Sequence, residues 1–511
     1  MFDNLHGFTW IDTVILIIYM IAVLLAGFYF SKKEMKGKEF FKGDGSVPWW
    51  VTSVSIFATL LSPISFLTLA GNSYGGTWLL WFAQLGMFIA IPLTIKYFLP
   101  VYANLGIDTA YHYLEIRYGS KALRVLGAIM FVIFQVGRMS IVMYLPCLAL
   151  AKLAGIDVNI LIIGMGAIAI VYSYTGGLKA VLWTDFIQGV ILIGGIGLTL
   201  VYLIWRLGNG LGDITYSLTE GGRFLANGED WINWSNLLGT SILLTIVGGG
   251  LSTFCSYVSS QDVVQRFTTT TDVKQLNKMT IGNGVLSIVC ASIFYLVGTA
   301  LFIFYEQNPE LITETFKDSR DQVFAYFITY ELPVGVTGII LAALYAASQS
   351  TLSTGINSVA TSWVLDIQSQ ITPNMTSERQ TKIAQYVSLG VGVFAILVAM
   401  YLATASIRSA YELFNSFLNL ALGALAGIFV MGAFTRKTSA LGALCGFAVS
   451  TLVVLYCKYY VPSINFWSYA VIAIIITTVV GVIVSKIQAA VTQKEYIAPE
   501  GSTFMTAKKI V

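Results

Sequence analysis

Long apolar runs separated by short polar stretches dominate the chain. Runs of about twenty residues, enough for a helix to cross about 30 Å of hydrocarbon, recur from one end to the other. This pattern predicts an all-α integral membrane protein with about thirteen transmembrane helices. Their approximate limits are 8–30, 49–70, 77–99, 120–152, 158–174, 178–205, 236–258, 280–305, 333–365, 383–403, 410–434, 439–461 and 465–486.

Two of these runs contain helix-breaking residues at similar depths. The run 49–70 contains Ser62 and Pro63, and the run 236–258 contains three consecutive glycines, residues 248–250. Proline removes a helix donor, and each glycine costs roughly 0.8 to 1 kcal/mol relative to alanine. We therefore expect both helices to open inside the membrane, where unpaired backbone must face protein or a water-filled cavity. The alternative is a simple kink at the proline and a close helix crossing at the glycines.

The interrupted runs also divide the chain. Each begins a block of five spans, and the two blocks have opposite topology, which predicts the 5+5 inverted repeat of a secondary transporter. The predicted divisions are 1–48 (outer N-terminus, first transmembrane helix and basic inner loop), 49–205 (first repeat), 206–235 (outer loop), 236–434 (second repeat), 435–486 (two additional helices) and 487–511 (cytoplasmic tail).

Charge sets the expected orientation. The chain is 56% hydrophobic and 11% charged, with a mean hydropathy of +0.77. Basic loops stay cytoplasmic, and the first run is followed by Lys32, Lys33, Lys36, Lys38 and Lys42. We therefore expect the N-terminus outside and the C-terminus in the cytoplasm, with the first run retained as an anchor. The net charge of +3 fits this bias, and neither a nucleic acid nor an obligatory protein partner is expected.

Two charged residues inside the runs are candidates for binding. Arg138 lies near the centre of the fourth run, where an arginine costs at least about 2.5 to 3.5 kcal/mol and cannot lose its proton. It could bind the carboxylate of an acidic substrate through its planar fork, or form a permanent ion pair, with Asp185 as the obvious partner. Asp185 could instead bind a cation, or cap the inner end of the sixth run.

A row of polar side chains strengthens the cation hypothesis. Ser350, Ser353 and Thr354 share one face of an otherwise apolar helix, since they are three and four residues apart. Their hydroxyls, with a carboxylate and backbone carbonyls, would suit a small hard cation, although they could simply bond neighbouring helices. A proton-coupled carrier needs deep groups that titrate, and these are almost limited to Asp185 and the peripheral Glu412. Sodium is therefore the expected coupling ion.

Several stretches of the chain resemble one known family, the sodium:solute symporters. Residues 172–189 resemble its most specific signature, and residues 259–267 resemble its second. The resemblance covers nearly the whole chain. Within the family the chain is most similar to bacterial sialic acid transporters, especially through residues 57–59, 137–138 and 347–351.

The resemblance implies a LeuT-like fold in a bacterial cell membrane and a set of binding residues. A first sodium would be held by the backbone oxygens of Ala58, Leu61 and Ala347 with the hydroxyls of Ser350 and Thr351. A second sodium, found in only part of the family, would use Asp185 with Ser350, Ser353 and Thr354. Arg138 would bind the substrate carboxylate, and Ser62, Ser65 and Gln84 would meet its hydroxyls and amide. Thr253, after the glycines, is expected to line the opposite side.

The predicted function is sodium-coupled import of sialic acid (N-acetylneuraminic acid) by alternating access. Leu60 and Pro63 stand where polar residues are expected in the sialic acid branch, so another small solute, such as a sugar, an amino acid or a monocarboxylate, is the alternative. No enzymatic activity is expected, because the two histidines, His6 and His112, lie outside the runs and form no catalytic cluster. A channel would need rings of residues, and a sensor would need a sizeable soluble output domain.

Overall fold

The computed structural model describes residues 9–31, 38–43, 45–154, 156–225, 229–312, 322–404 and 410–507, and every regular element in these ranges is helical. The basic residues Lys32, Lys33 and Lys36 that entered the orientation argument lie outside the described residues. In chain order the helices are α1 (Trp10–Ser31), α2 (Lys38–Lys42), α3 (Trp49–Leu60), α4 (Pro63–Gly75), α5 (Leu79–Leu105), α6 (Ala110–Tyr118), α7 (Lys121–Ala154), α8 (Val158–Arg206), α9 (Leu211–Thr219), α10 (Ile242–Ser259), α11 (Gln261–Phe267), α12 (Val273–Gln307), α13 (Val323–Tyr330), α14 (Val336–Ile371), α15 (Ser377–Leu402), α16 (Ala410–Phe434), α17 (Ala440–Tyr460), α18 (Ser468–Thr492) and α19 (Phe504–Ala507).

The described residues include eleven helices long and apolar enough to cross a membrane, or twelve when the bent pair α3–α4 is one span. A shorter apolar helix, Val158–Val171, forms the first part of α8. It is separated from the rest of α8 by Gly177, whose φ of 55° and ψ of −169° are not helical. The count of thirteen spans stays a prediction.

The break at Ser62 and Pro63 is confirmed. Helices α3 and α4 meet at an angle of 66°. Leu61 and Ser62 are extended between them, with ψ angles of 100° and 166°, and Pro63 is the first residue of α4. Proline suits that position because its fixed φ matches a helix start and its missing N–H would have no helical partner there.

The break predicted at residues 248–250 is wrong, since α10 runs through all three glycines without interruption. They lie where other backbone comes close. A Cβ atom on Gly249 would be 2.7 Å from the carbonyl oxygen of Ala83, and one on Gly250 would be 2.7 Å from that of Gly86. The glycines therefore serve a close crossing of α10 and α5, as the alternative interpretation held. The chain becomes extended only at Ser260, more than two helical turns (about 11 Å) further on, where α10 ends and α11 begins.

Helix α14 occupies the centre of the molecule. Nearly every residue from Thr337 to Ser362 is buried, and α1, α3, α7, α8 and α15 pack around it. By contrast, α1, α15 and α17 expose large apolar side chains such as Ile18, Leu397 and Leu452, as expected of helices that face lipid. The polar row on α14 is thus held away from the lipid-facing surface.

Candidate functional site

The break between α3 and α4 leaves one backbone carbonyl without a helical donor. In a continuous helix the carbonyl of Thr59 would accept the amide of residue 63, but Pro63 has no N–H. The Thr59 carbonyl instead accepts hydrogen bonds from Nη2 of Arg138 and from Oγ1 of Thr351, the latter at 3.4 Å. Pro63 thereby makes the backbone at the break an acceptor for side chains from α7 and α14.

A cavity lies beside this break, and its walls include the predicted substrate residues Ser65, Gln84, Arg138 and Thr253. The fifth predicted residue, Ser62, is fully buried and does not line the cavity, and its hydroxyl has no hydrogen-bond partner within the described part of the chain. Leu61, predicted for the first sodium, also lines the wall, as does Ser252 beside Thr253. Other residues of the wall were not predicted for binding, among them Leu69, Phe134, Asn415 and Trp467. Folding thus brings four of the five predicted residues to one cavity.

Arg138 forms an ion pair at the wall of the cavity. Its Nη1 atom lies 2.6 Å from Oδ2 of Asp262 on α11, and both side chains are buried. Its Nε atom has no hydrogen-bond partner among the described residues, and the ring centre of Phe414 is 5.9 Å from its guanidinium carbon. The guanidinium therefore has an internal carboxylate on one side and a free donor on another.

The residues predicted for the first sodium lie on α14 and at the α3 break, which pack against each other. Thr351 donates through Oγ1 to the carbonyl of Ala347 at 3.1 Å, and the hydroxyl of Ser350 is buried with no partner in the described ranges. Ala58 is buried near the end of α3, and Leu61 is the first extended residue after it. Carbonyl and hydroxyl oxygens are the donors that hard cations prefer. The chemistry fits sodium, and the ligand roles stay predictions.

Asp185 is the centre of a second polar cluster. Its Oδ2 atom accepts hydrogen bonds from Ser55 at 2.6 Å and Thr354 at 3.1 Å, and its Oδ1 atom lies 3.5 Å from the hydroxyl of Ser353. Arg266 completes the cluster with Nη2 2.7 Å from Oδ2. Three of the four residues predicted for the second sodium are therefore in contact, and Ser353 also donates to the carbonyl of the fourth, Ser350, at 3.1 Å.

The alternative partner considered for Arg138 is wrong. Asp185 is not the partner of Arg138, because folding pairs each with a residue of α11 instead. Two further acids, Asp262 and Asp366, are fully buried in the fold, and Asp366 is 2.7 Å from Arg124. The side chain of Glu412 lies outside the described residues. The choice of sodium as the coupling ion is therefore supported by the oxygen donors and not by a scarcity of acids.

The sequence held signals for the residues that were missed. Ser55 and Thr59 are four residues apart on α3, the spacing that singled out the polar face of α14. Asp262 and Arg266 have the same spacing inside the stretch 259–267 that resembles a family signature. Their roles depend on which helices meet in the folded protein, which spacing alone does not reveal.

Curated relatives align over nearly the whole chain. The sodium/sialic acid symporter SiaT of Proteus mirabilis is 32% identical over 96% of this chain and 98% of its own length. The sodium/sialic acid symporter NanT of Aliivibrio fischeri is 31% identical over 93% of both chains. A sodium/glucose cotransporter of Vibrio parahaemolyticus is 27% identical over 93% of this chain and 90% of its own length.

Solved structures agree with these relatives. A Na⁺-coupled sialic acid symporter in a substrate-bound, outward-open state superimposes with a TM-score of 0.86 at 31% identity, covering 94% of this chain and 98% of the other. Mhp1, a nucleobase-cation-symport-1 family transporter, shares the fold at 17% identity with a TM-score of 0.56, covering 86% of this chain and 93% of its own. The LeuT-like fold is confirmed, and the chain is a multi-pass membrane protein.

The family assignment extends through both polar clusters. The model of the sodium:solute symporter family matches residues 40–450, a range that includes Arg138, Asp185, Asp262, Arg266 and the polar row of α14. The match covers most of the chain and agrees with the relatives and the fold. The protein therefore belongs to the sodium:solute symporter family.

Proposed function

We propose that this protein is a symporter that uses sodium to import sialic acid by alternating access. The observation that carries the proposal is the position of Arg138, a buried guanidinium at the wall of a cavity shared with Ser65, Gln84 and Thr253. The sialic acid symporters among the relatives support it, because sialic acid carries a carboxylate, hydroxyls and an amide that these side chains can bind.

The substrate roles follow from side-chain chemistry. Arg138 binds the carboxylate, since a guanidinium fork matches a carboxylate in two parallel hydrogen bonds. Ser65, Gln84 and Thr253 meet the hydroxyl and amide groups from other walls of the cavity. Ser62 lies just behind the wall, and its hydroxyl has no partner among the residues described, so its role requires a small movement of the extended segment between α3 and α4.

The sodium roles divide between the two clusters. The first ion is held by Ala58, Leu61, Ala347, Ser350 and Thr351. The second is held by Asp185 together with Ser350, Ser353 and Thr354. Both sets use oxygen ligands, and Asp185 supplies the single formal negative charge.

Coupling follows from the shared backbone at the break. The same short segment offers carbonyls to the first sodium and, through Thr59, an acceptor to Arg138. Sodium bound there orders the segment against α14 and so raises the affinity of Arg138 and its neighbours for substrate. We further propose that residues 49–205 and 236–434 are the two inverted repeats that rock around this site, with the N-terminus outside and the C-terminus in the cytoplasm.

The proposed stoichiometry is sufficient to concentrate substrate. Two sodium ions and one carboxylate move one net positive charge inward, worth about 2.3 kcal/mol at 100 mV. A tenfold sodium gradient adds about 1.4 kcal/mol for each ion. The sum of about 5 kcal/mol could sustain a substrate gradient of about 10³ to 10⁴.

Uptake into proteoliposomes tests the proposal. Labelled N-acetylneuraminic acid should accumulate under an inward sodium gradient but not under an equal potassium gradient, and Arg138→Ala should reduce uptake at least a hundredfold because the carboxylate loses its charged partner. Arg379→Ala, which removes an exposed arginine at the start of α15, is the matched control and should retain uptake.

The outcomes separate the alternatives. If correctly inserted wild-type protein fails to take up N-acetylneuraminic acid with sodium, the substrate is wrong, and competition by a panel of sugars, amino acids and monocarboxylates identifies another. If uptake occurs equally with potassium, the coupling ion is wrong. Uptake that survives in Arg138→Ala would show that this arginine does not hold the carboxylate.

A further inference from the structure

Helix α11 carries two opposite charges on one face. Asp262 and Arg266 are four residues apart, and both are completely buried. All seven residues of α11 are buried, and the helix follows directly on the extended residue Ser260. Two charges on so short a buried segment need partners nearby.

Their partners are the two groups proposed above to bind the substrate and the second sodium. Asp262 binds Arg138, the proposed carboxylate anchor, at 2.6 Å. Arg266 binds Asp185, the charged ligand of the second proposed sodium site, at 2.7 Å, and also bonds Thr354 of that site at 2.6 Å. The carboxylate of Asp262 thus lies where the substrate carboxylate is expected to bind. The guanidinium of Arg266 lies on the carboxylate that is expected to bind sodium.

We propose that Asp262 and Arg266 are positioning residues. Between transport cycles, Asp262 binds Arg138 in place of the substrate carboxylate, and Arg266 binds Asp185 in place of the second sodium. The inference rests on the proposed function. Sodium would displace Arg266 from Asp185, and the substrate carboxylate would displace Asp262 from Arg138. The displaced side chains can then pair with each other, because their spacing brings them together on one face and Nη1 of Arg266 already donates to the carbonyl of Asp262.

The charge balance makes the two displacements cooperative. Arg138, Asp262, Arg266 and Asp185 together have no net charge. Displacing only Arg266 or only Asp262 leaves one buried charge without a partner, which is strongly unfavourable. Displacing both leaves every charge paired: sodium is bound to Asp185, the substrate carboxylate is bound to Arg138, and Asp262 pairs with Arg266. Sodium therefore raises substrate affinity, and the substrate raises sodium affinity by the same factor.

The hydrogen bonds of Asp262 explain how binding of the substrate could move the backbone of α11. Its Oδ1 atom accepts hydrogen bonds from the hydroxyl of Ser260 and from the amide of Val263, the latter at 3.0 Å. The carboxylate is therefore fixed to the first turn of α11, and its release from Arg138 frees α11 to move about the extended residue at its start.

The first experiment measures sodium binding without any substrate. Thermal unfolding of the purified full-length protein is followed while NaCl replaces KCl at constant total salt. Removal of the competing cation in Arg266→Gln should lower the half-saturating sodium concentration by about tenfold, within the range of 5- to 150-fold usual for coupled sites. An unchanged or higher value in the variant would overturn the proposal, and this arm does not depend on the identity of the cargo.

The second experiment measures binding of labelled N-acetylneuraminic acid at low and high sodium. Asp262→Asn removes the competing anion from Arg138, so affinity at low sodium should rise by about tenfold and depend less on sodium. A purely structural role for Asp262 predicts the opposite, weaker binding at every sodium concentration. If the wild type binds no N-acetylneuraminic acid at any sodium concentration, the proposed function has failed, and the sodium arm alone decides the inference.

Two further variants complete the test. Asp366→Asn removes a buried carboxylate from a different ion pair, with Arg124 at 2.7 Å, and should leave both binding constants unchanged. The double variant Asp262→Asn, Arg266→Gln keeps the net charge at zero and serves if a single variant does not fold. In it, the coupling between sodium and substrate should be weaker than in the wild type, because only the backbone route through the α3–α4 break remains, and coupling equal to that of the wild type would contradict the proposal.

Discussion

At the scale of single residues, Ser350 stands out on α14. Its hydroxyl is fully buried without a partner among the described residues, whereas Thr351, Ser353 and Thr354 all form hydrogen bonds. Leaving a buried hydroxyl unpaired costs about 1 to 3 kcal/mol. Ser350 is also the one residue shared by both predicted sodium sites. Its position is explained if a cation supplies the missing interaction.

Replacing Ser350 by alanine should separate stability from sodium binding. Because no hydrogen bond in the described structure is lost, Ser350→Ala should leave stability without sodium unchanged or raise it by about 1 kcal/mol. The sodium concentration for half-maximal uptake should rise about tenfold or more, since both sites lose a ligand. Thermal unfolding and sodium titration of uptake measure the two effects.

Ser358→Ala is the matched control for this substitution. Ser358 is buried on the same helix, and its hydroxyl donates to the carbonyl of Gly355 at 3.1 Å. This variant should lose about 1 kcal/mol of stability and keep a normal sodium response. A normal sodium response in Ser350→Ala as well would remove Ser350 from the sodium sites.

Residue type and spacing predicted part of the site. Arg138 was identified from its type and position, Gln84 and Thr253 followed from the family resemblance, and the structure brings all three to one cavity. The ion pairs were not predictable in the same way. Asp185 and Asp262 are both carboxylates near the interrupted helices, and only the position of α11, whose side chains reach Arg138 on α7 and Asp185 on α8, determines which arginine each one meets.

At the scale of helices, the glycines of α10 show how one sequence pattern permits two structures. A glycine costs about 1 kcal/mol in a helix, but an open backbone inside a membrane cannot recover its hydrogen bonds from water. The helix therefore stays intact, and another helix packs closely against it because the glycines have no side chains in the way. Pro63 differs because it has no N–H to donate, which leaves the carbonyl of Thr59 without its helical partner, and side chains of Arg138 and Thr351 bind that carbonyl where the helix opens.

Gly249→Ala should disrupt the crossing of α10 and α5. The new Cβ atom would lie 2.7 Å from the carbonyl oxygen of Ala83, so the helices must separate. Overpacking of this kind costs about 1 to 3 kcal/mol, and uptake should fall because Ala83 is next to Gln84 of the cavity wall. Thermal unfolding and uptake in proteoliposomes are the measurements.

A helical glycine in open space provides the comparison for this variant. A Cβ atom on Gly194 in α8 would meet no atom of the described residues within 4 Å. Gly194→Ala should therefore keep full uptake and gain up to about 1 kcal/mol of stability from its higher helix propensity. Equal behaviour of the two variants would show that the glycines of α10 are not needed for close packing.

The second true break had a different sequence signal from the first. Ser260 precedes α11 with extended backbone, and Asp262 lies in its first turn, a pattern typical of a helix start. The pattern lies just beyond the end of the predicted run at residue 258. An apolar run shows where a span crosses the membrane, whereas the start of a short buried helix is visible only from its capping residues.

At the scale of the whole molecule, the polar segment after α18 folds back onto the bundle. Tyr496 donates through its hydroxyl to the carbonyl of Arg117 at 2.7 Å, and the amide of Ala498 donates to the carbonyl of Arg436 at 2.9 Å. Partial burial raises the pKa of Tyr496 above its ordinary value of about 10, so its hydroxyl remains a donor at neutral pH. The sequence predicted only a polar tail here, because its contacts are to distant backbone.

The end of this segment should stabilise the fold without affecting transport chemistry. The ring of Phe504 lies 4.6 Å from that of Tyr97 on α5 and 6.4 Å from that of Phe434 on α16, so it joins two helices that are distant in sequence. Phe504→Ala should lower the free energy of unfolding by about 1 to 2 kcal/mol, since partly buried aromatic contacts are lost. Met505→Ala, at a neighbouring side chain that is 56% exposed, should change it by less than about 0.5 kcal/mol.

None of these residues lines the cavity, so the sodium dependence of uptake should be the same in both variants. A changed sodium dependence in Phe504→Ala alone would mean that the segment also takes part in the movement of the helices during transport.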